Sequence, residues 1–141
     1  MQSSSAPRSV TLDSTVHSTL KLELTGLRNQ EGVICAALFM SPDGYPNDST
    51  KAIRSGCFPI AGSPCLIEFP DLPFGFYAVT VHHDENMDGE LNCNALGIPK
   101  EGIGFSGNPR IWKGVPPFQR AEVEFSNRNP VIVITMKYLL R

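Results

Sequence analysis

Residues 20 to 24 read Leu-Lys-Leu-Glu-Leu, and this strict alternation constrains the fold more than any other feature of the chain. A period of two puts Leu20, Leu22 and Leu24 on one face and Lys21 and Glu23 on the other, as in a strand with one side buried and one side wet. Alternation resumes in Cys65-Leu66-Ile67-Glu68-Phe69 and in Phe76 to His83, and two last strands are expected over Arg120 to Phe125 and Val131 to Tyr138. Val33 to Met40 is a continuous apolar run closed in by Gly32 and Pro42, which suits a buried central strand. The cluster Arg28-Asn29-Gln30-Glu31-Gly32 predicts a hairpin between the first two strands. Pro70 to Gly75 and Ser126 to Pro130 are further turn clusters that neither neighbouring strand should continue through. Lys51 to Ile60 suits a short helix or a strand equally.

At 141 residues the chain is one domain with room for a real core. Its 12 Gly and 12 Pro favour many turns over long helices. These readings predict an all-β, Greek-key β-sandwich of about seven strands, transthyretin-like or immunoglobulin-like. The domain is expected over residues 19–141, after a Ser- and Thr-rich leader, 1–18, that has neither the basic start nor the apolar stretch of an intact signal peptide. A formal net charge of −2 offers no basic footprint for nucleic acid or an anionic membrane. No apolar run approaches the roughly 20 residues of a membrane span.

From Asp84 to Pro117 the alternation lapses, although Gly89, Gly97, Gly102, Gly104, Gly107 and Gly114 are spread among apolar residues. A long ordered loop is expected there, from a strand ending near His83 to one starting near Phe118. Loops of this length in a compact domain are uncommon and usually functional or disordered, and Leu91, Leu96, Ile98, Ile103, Phe105, Ile111 and Trp112 argue against disorder. It opens with Asp84-Glu85-Asn86-Met87-Asp88-Gly89-Glu90-Leu91-Asn92, the spacing of the first nine positions of a calcium loop. Asp84, Asn86 and Asp88 supply oxygen at alternate positions, and Gly89 permits the sharp turn. Glu90 would add its carbonyl, Leu91 would anchor in the core, and Asn92 would ligate directly or through water. The twelfth position, which in an EF-hand is a bidentate Glu, is Ala95, so a carboxylate from elsewhere, Glu101 or Asp43, must complete the cage.

The plain alternative is a solvated turn, because Asn, Asp and Gly are what any turn selects. Crowding of acidic side chains beyond what a turn requires favours the cation. A rival is a transition-metal site drawing on His82, His83 and Cys93; adjacent residues of a strand face opposite ways, so only one of the two histidines can serve it. The four cysteines form no CxxC pair. Cys57 and Cys65 flank a turn-forming segment that leaves them either bridged or free, and Cys35, inside an apolar run, reads as a buried thiol.

One long string carries a resemblance: Gly75 and Tyr77, His83-Asp84-Glu85-Asn86, Gly89, Leu96-Gly97-Ile98-Pro99, Glu101-Gly102 and Gly104-Phe105-Ser106, with PPFQRAEVEF and a closing apolar strand behind it. In these residues the chain resembles bacterial domain-of-unknown-function family 2141, whose members are small, are often made with an export signal and have no assigned activity. The resemblance implies a periplasmic or extracellular destination. Members often carry Asp where this chain has Asn92, which lowers the negative charge of the cage. Leu72-Pro73-x-Gly75-x-Tyr77-x-Val79 is also similar to the turn-into-strand of transthyretin-like sandwiches, which implies that the Tyr77 hydroxyl ties a corner to backbone.

The functional expectation is a calcium-stabilised binding or structural module whose long loop presents Phe105 and Trp112 to a protein or glycan at the cell envelope, unless these aromatics simply cap the sandwich. The alternative is a hydrolase using Asp84, Glu85 or His83 as acid or base; the only Ser in glycine company, Ser106, lacks the G-x-S-x-G elbow. A plain structural sandwich without metal is the third reading.

Overall fold

The computed structural model describes residues 17–89, 100–111 and 115–139. Among the described residues eight strands run in chain order: β1 (His17–Thr25), β2 (Val33–Phe39), β3 (Arg54–Pro59), β4 (Cys65–Pro73), β5 (Gly75–Asp84), β6 (Gly102–Phe105), β7 (Glu122–Phe125) and β8 (Val131–Thr135), with a 3-10 turn (Ser49–Lys51) before β3 and an α-helical turn, α1 (Phe118–Ala121), before β7. They form a three-stranded sheet, β4-β1-β8, and a five-stranded sheet, β3-β2-β5-β6 with β7 also on β5, packed as a sandwich. The pairings are antiparallel except β1 with β8, where the first and last strands run parallel. No helix among the described residues is long and apolar enough to cross a membrane.

The expected alternation places the core. Leu20, Leu22 and Leu24 of β1, Ile67 and Phe69 of β4, and Tyr77, Val79 and Val81 of β5 pack between the sheets with Ile34, Leu38, Phe125 and Ile134. The opposite face of the larger sheet holds a second cluster, in which Phe39, Ala78, Ile103 and Phe105 are covered by Ile111, Phe118 and Ala121. This face is therefore roofed by the chain between β6 and β7, and Phe105, expected on a presented surface, is buried.

Several expected connections differ. The turn over residues 28–32 joins no hairpin: both edges of β1 are taken by β4 and β8, so the chain leaves one sheet and enters the other. Residues 74 and 126–130 likewise carry it between sheets. β4 runs through Pro70 to Pro73 as an edge strand, where a missing N–H costs no ladder bond. Tyr77 ties this corner as its resemblance implied, its hydroxyl donating to the Pro73 carbonyl at 2.6 Å.

The stretch from Asp84 to Pro117 contains β6, an element hidden from a periodicity reading because its inward positions are glycines. A Cβ on Gly104 would stand 2.7 Å from Ile134 and one on Gly102 2.5 Å from the Tyr138 ring. Glycine thus lets β6 settle against the far sheet, where Ile103 and Lys137 exchange backbone hydrogen bonds of 3.0 and 2.8 Å. The two sheets meet along that edge.

The disulfide also corrects the sequence reading. Cys35 is bonded to Cys57, and Cys65 is a free, buried thiol. The cause is register: Cys35 and Cys57 face each other across β2 and β3, whereas Cys65 starts β4 in the other sheet, opposite Leu24, with its side chain in the core. Cys93 lies outside the described residues.

Candidate cation site at the ends of β5 and β6

The period of two along β5 sorts its last three residues. His83 turns inward with Val81, while His82 and Asp84 share the outer face with Ala78. β6 pairs with β5 so that Gly102 opposes His83 and Ile103 opposes His82. One step further along this antiparallel register, Glu101 comes opposite Asp84 and diagonal to His82, within reach of both side chains. One donor atom each from His82, Asp84 and Glu101 lies within 4.8 Å of the others.

The two carboxylates are deeply set, with Asp84 2% and Glu101 6% exposed. Glu101 is fully engaged: one oxygen is 3.0 Å from His82 Nε2, and the other accepts the N–H groups of Glu85 at 2.9 Å and Asn86 at 3.4 Å. Asp84 is engaged on one side only. Its Oδ2 accepts the Gly89 N–H at 2.8 Å, binding the first loop position to the sixth, but its buried Oδ1 has no hydrogen-bond partner among the described residues. An orphaned carboxylate oxygen carries a desolvation cost of about 1–3 kcal/mol or more unless something of positive charge meets it.

A strap from the turn over residues 28–32 fixes the loop from the other side. The Arg28 guanidinium donates to both Glu85 oxygens, at 3.1 and 2.7 Å, and to the Lys100 carbonyl at 3.2 Å, while stacking 4.6 Å over the Tyr138 ring. Asn29 adds a 2.6 Å bond to Glu85. The hydrogen bond from Arg28, ahead of the opposing effect of burial, holds the Glu85 carboxyl below its ordinary 4.5. Below the strap, His83 Nε2 is 2.7 Å from the Glu31 carbonyl and Nδ1 is 2.7 Å from the Tyr138 hydroxyl. A carbonyl only accepts, so His83 Nε2 is the donor to Glu31, and burial raises the Tyr138 phenol. Gly32 makes the approach possible: at φ +72°, a Cβ there would lie 2.0 Å from the Asp84 carbonyl oxygen.

A family model described as an uncharacterized protein conserved in bacteria (DUF2141) matches residues 22–132. That span is most of the 141-residue chain. The chain belongs to this family. No curated protein matches it, and no solved structure matches it. The family's matched span takes in His82, Asp84 and Glu101 together with the whole acidic loop.

Of the residues expected to line a calcium cage in this family member, the fold brings Asp84 to the cluster with Glu101, one of the two carboxylates named as a possible last corner. The other, Asp43, is exposed and pairs with Lys51 at 3.7 Å. Asn86 and Asp88 are exposed and bonded to each other, Nδ2 to Oδ2 at 3.2 Å, and the Asn86 oxygen accepts the Asp88 N–H at 3.2 Å. Asp88 is not a member of the cluster. Glu90 and Asn92, the remaining expected ligands, lie outside the described residues, as do Leu91 and Trp112. His83, weighed both as a metal ligand and as a catalytic group, is committed inward to Tyr138 and Glu31, and Glu85 is committed to Arg28 and Asn29. His82 is the histidine that meets the carboxylates. The signal for it is the pair His82 and Asp84 on one strand face, but its meaning depends on seeing β6.

Proposed function

We propose that this family member is a non-enzymatic β-sandwich module of the cell envelope in which a divalent cation, held at Asp84 and Glu101, braces the acidic loop and the end of the sandwich it closes. The observation that carries this reading is the buried Asp84 oxygen without a partner, in a cluster with a second buried carboxylate. A cation there offsets the cost of the orphan and draws β5, β6 and the loop together. The oxygen spacing Asp84-x-Asn86-x-Asp88-Gly89 makes calcium one candidate ion, and the His82 imidazole beside the two carboxylates makes a transition cation the other. The braced end is the face offered to a protein or glycan partner.

An extracytoplasmic home is supported by the Cys35–Cys57 bridge, because such bonds persist in oxidising compartments and are rare in the cytosol. The test is thermal unfolding of chelator-treated protein with and without millimolar calcium, manganese or zinc. A ligand that binds only the folded state raises the midpoint, by about 2.7 kcal/mol of stability at a hundredfold excess over Kd. The same midpoint in chelator and in all three ions would end this reading.

A further inference from the structure

Resting on the reading that the cluster holds a cation, we infer that its preferred ion is a borderline transition cation of the zinc class, ligated by His82 nitrogen together with Asp84 and Glu101, and that calcium is the weaker occupant. The donors that the fold brings together carry the argument. Calcium takes six to eight oxygens and has little use for imidazole, whereas zinc is held by three protein donors of mixed nitrogen and oxygen with a fourth position open. Here the cluster supplies one imidazole and two carboxylates. Among the described residues, the additional oxygens that calcium would need, at Asn86 and Asp88, are on exposed side chains bonded to each other.

Spacing agrees with a small ion. Donors about 2.1 Å from a tetrahedral centre stand roughly 3.4 Å apart. His82 Nε2 and Glu101 Oε1 are 3.0 Å apart, and all three donors lie within 4.8 Å of one another. Adjustments of at most about 1.4 Å suffice, and the imidazole N–H now directed at Glu101 occupies the place that the ion would take between them. The outer partners that orient metal ligands are also in position, with backbone N–H groups of Glu85 and Asn86 on Glu101 and that of Gly89 on Asp84. The His82 side chain, 19% exposed, leaves an approach from solvent.

The experiment is calorimetric titration of the chelator-treated full chain with zinc and, separately, with calcium, for wild type, His82→Gln and Asp84→Asn. Gln keeps an N–H donor for Glu101 but removes the imidazole nitrogen. The expected result is tighter zinc than calcium binding in wild type, zinc affinity lowered more than about tenfold in His82→Gln and by a larger factor than calcium affinity, and loss of both in Asp84→Asn. Calcium binding tighter than zinc, or zinc affinity indifferent to His82→Gln, overturns the inference and leaves the cation reading standing, whereas zinc and calcium affinities both indifferent to Asp84→Asn overturn both. Binding of neither ion overturns both. Should His82→Gln not fold, wild type alone decides: anomalous scattering from a zinc-soaked crystal must place the ion about 2.0–2.1 Å from His82 Nε2, and an ion touching only oxygens refutes the assignment.

Discussion

Replacing Asp84 by Asn should make the metal-free protein more stable and the metal-loaded protein less so. Asp84 is 2% exposed and one of its oxygens has no partner among the described residues, so the wild type carries a half-engaged carboxylate beside a second one, Glu101. Asn keeps an oxygen for the Gly89 N–H, now 2.8 Å from Oδ2, and replaces the orphaned carboxylate oxygen by an uncharged amide group beside Glu101 in the same cluster. Relief of a buried unsatisfied polar group is on the order of 1–3 kcal/mol. For a chain of 141 residues, this corresponds to a rise of roughly 3–10 °C in the midpoint. With ion at about a hundred times Kd the wild type gains about 2.7 kcal/mol that the variant cannot, so the order of stability reverses or closes. Differential scanning calorimetry of both proteins in chelator and in excess divalent ion reads all four midpoints. A variant less stable than wild type in chelator, or one that keeps the full ion-induced shift, would refute the reasoning.

Three further outcomes follow from the same contacts. Peptide mapping without reduction should recover Cys35 linked to Cys57 and leave Cys65 unreactive to thiol reagents until unfolding; removing the link with Cys57→Ser should cost about 3 kcal/mol in denaturant unfolding, as expected for closing a loop of 22 residues. Gly32→Ala should destabilise the fold by more than about 2 kcal/mol, since φ +72° disfavours any side chain and the new methyl would meet the Asp84 carbonyl at 2.0 Å; an unchanged midpoint would show that the turn does not press on the loop. Glu85 titrates below its ordinary value in the folded protein because Arg28 holds it, so its contribution is present above the unfolded-state value near 4.5 and is lost as pH falls through the lower folded-state value. Stability measured against pH should therefore fall less steeply on the acid side in Glu85→Gln than in wild type.

The strands that alternate were legible because a half-buried strand writes its face into every second residue, as Leu20-Leu22-Leu24 and Tyr77-Val79-Val81 do. What sequence could not supply was the partner of each strand. Neither the crossing of residues 28–32 between sheets nor the pairing of β1 with β8 has a local signature, since they depend on β1 meeting β4 and β8, whose paired residues, such as Leu24 with Cys65 and Lys21 with Val131, are far apart in the chain. β3 is an edge strand with little burial, so Lys51 to Ile60 carried no clear period, and without β3 the opposition of Cys35 and Cys57 was invisible. β6 was missed because Gly102 and Gly104 erase the side chains that alternation would count. Half of the candidate site was therefore readable. The loop from Asp84 to Gly89 announces itself by composition and spacing, and Glu101 was one of two carboxylates that could answer it. Choosing between Glu101 and Asp43, and bringing His82 rather than His83 to the cluster, required the β5–β6 register.

Metal content is the most direct test of the central claim, that a divalent ion sits against Asp84 and Glu101. Protein equilibrated with a mixture of calcium, manganese and zinc, freed of excess ion and analysed by elemental mass spectrometry should retain close to one divalent ion per chain, and the Asp84→Asn protein treated identically should retain none. Wild type that emerges without bound ion, or a variant that holds as much as wild type, would contradict the account.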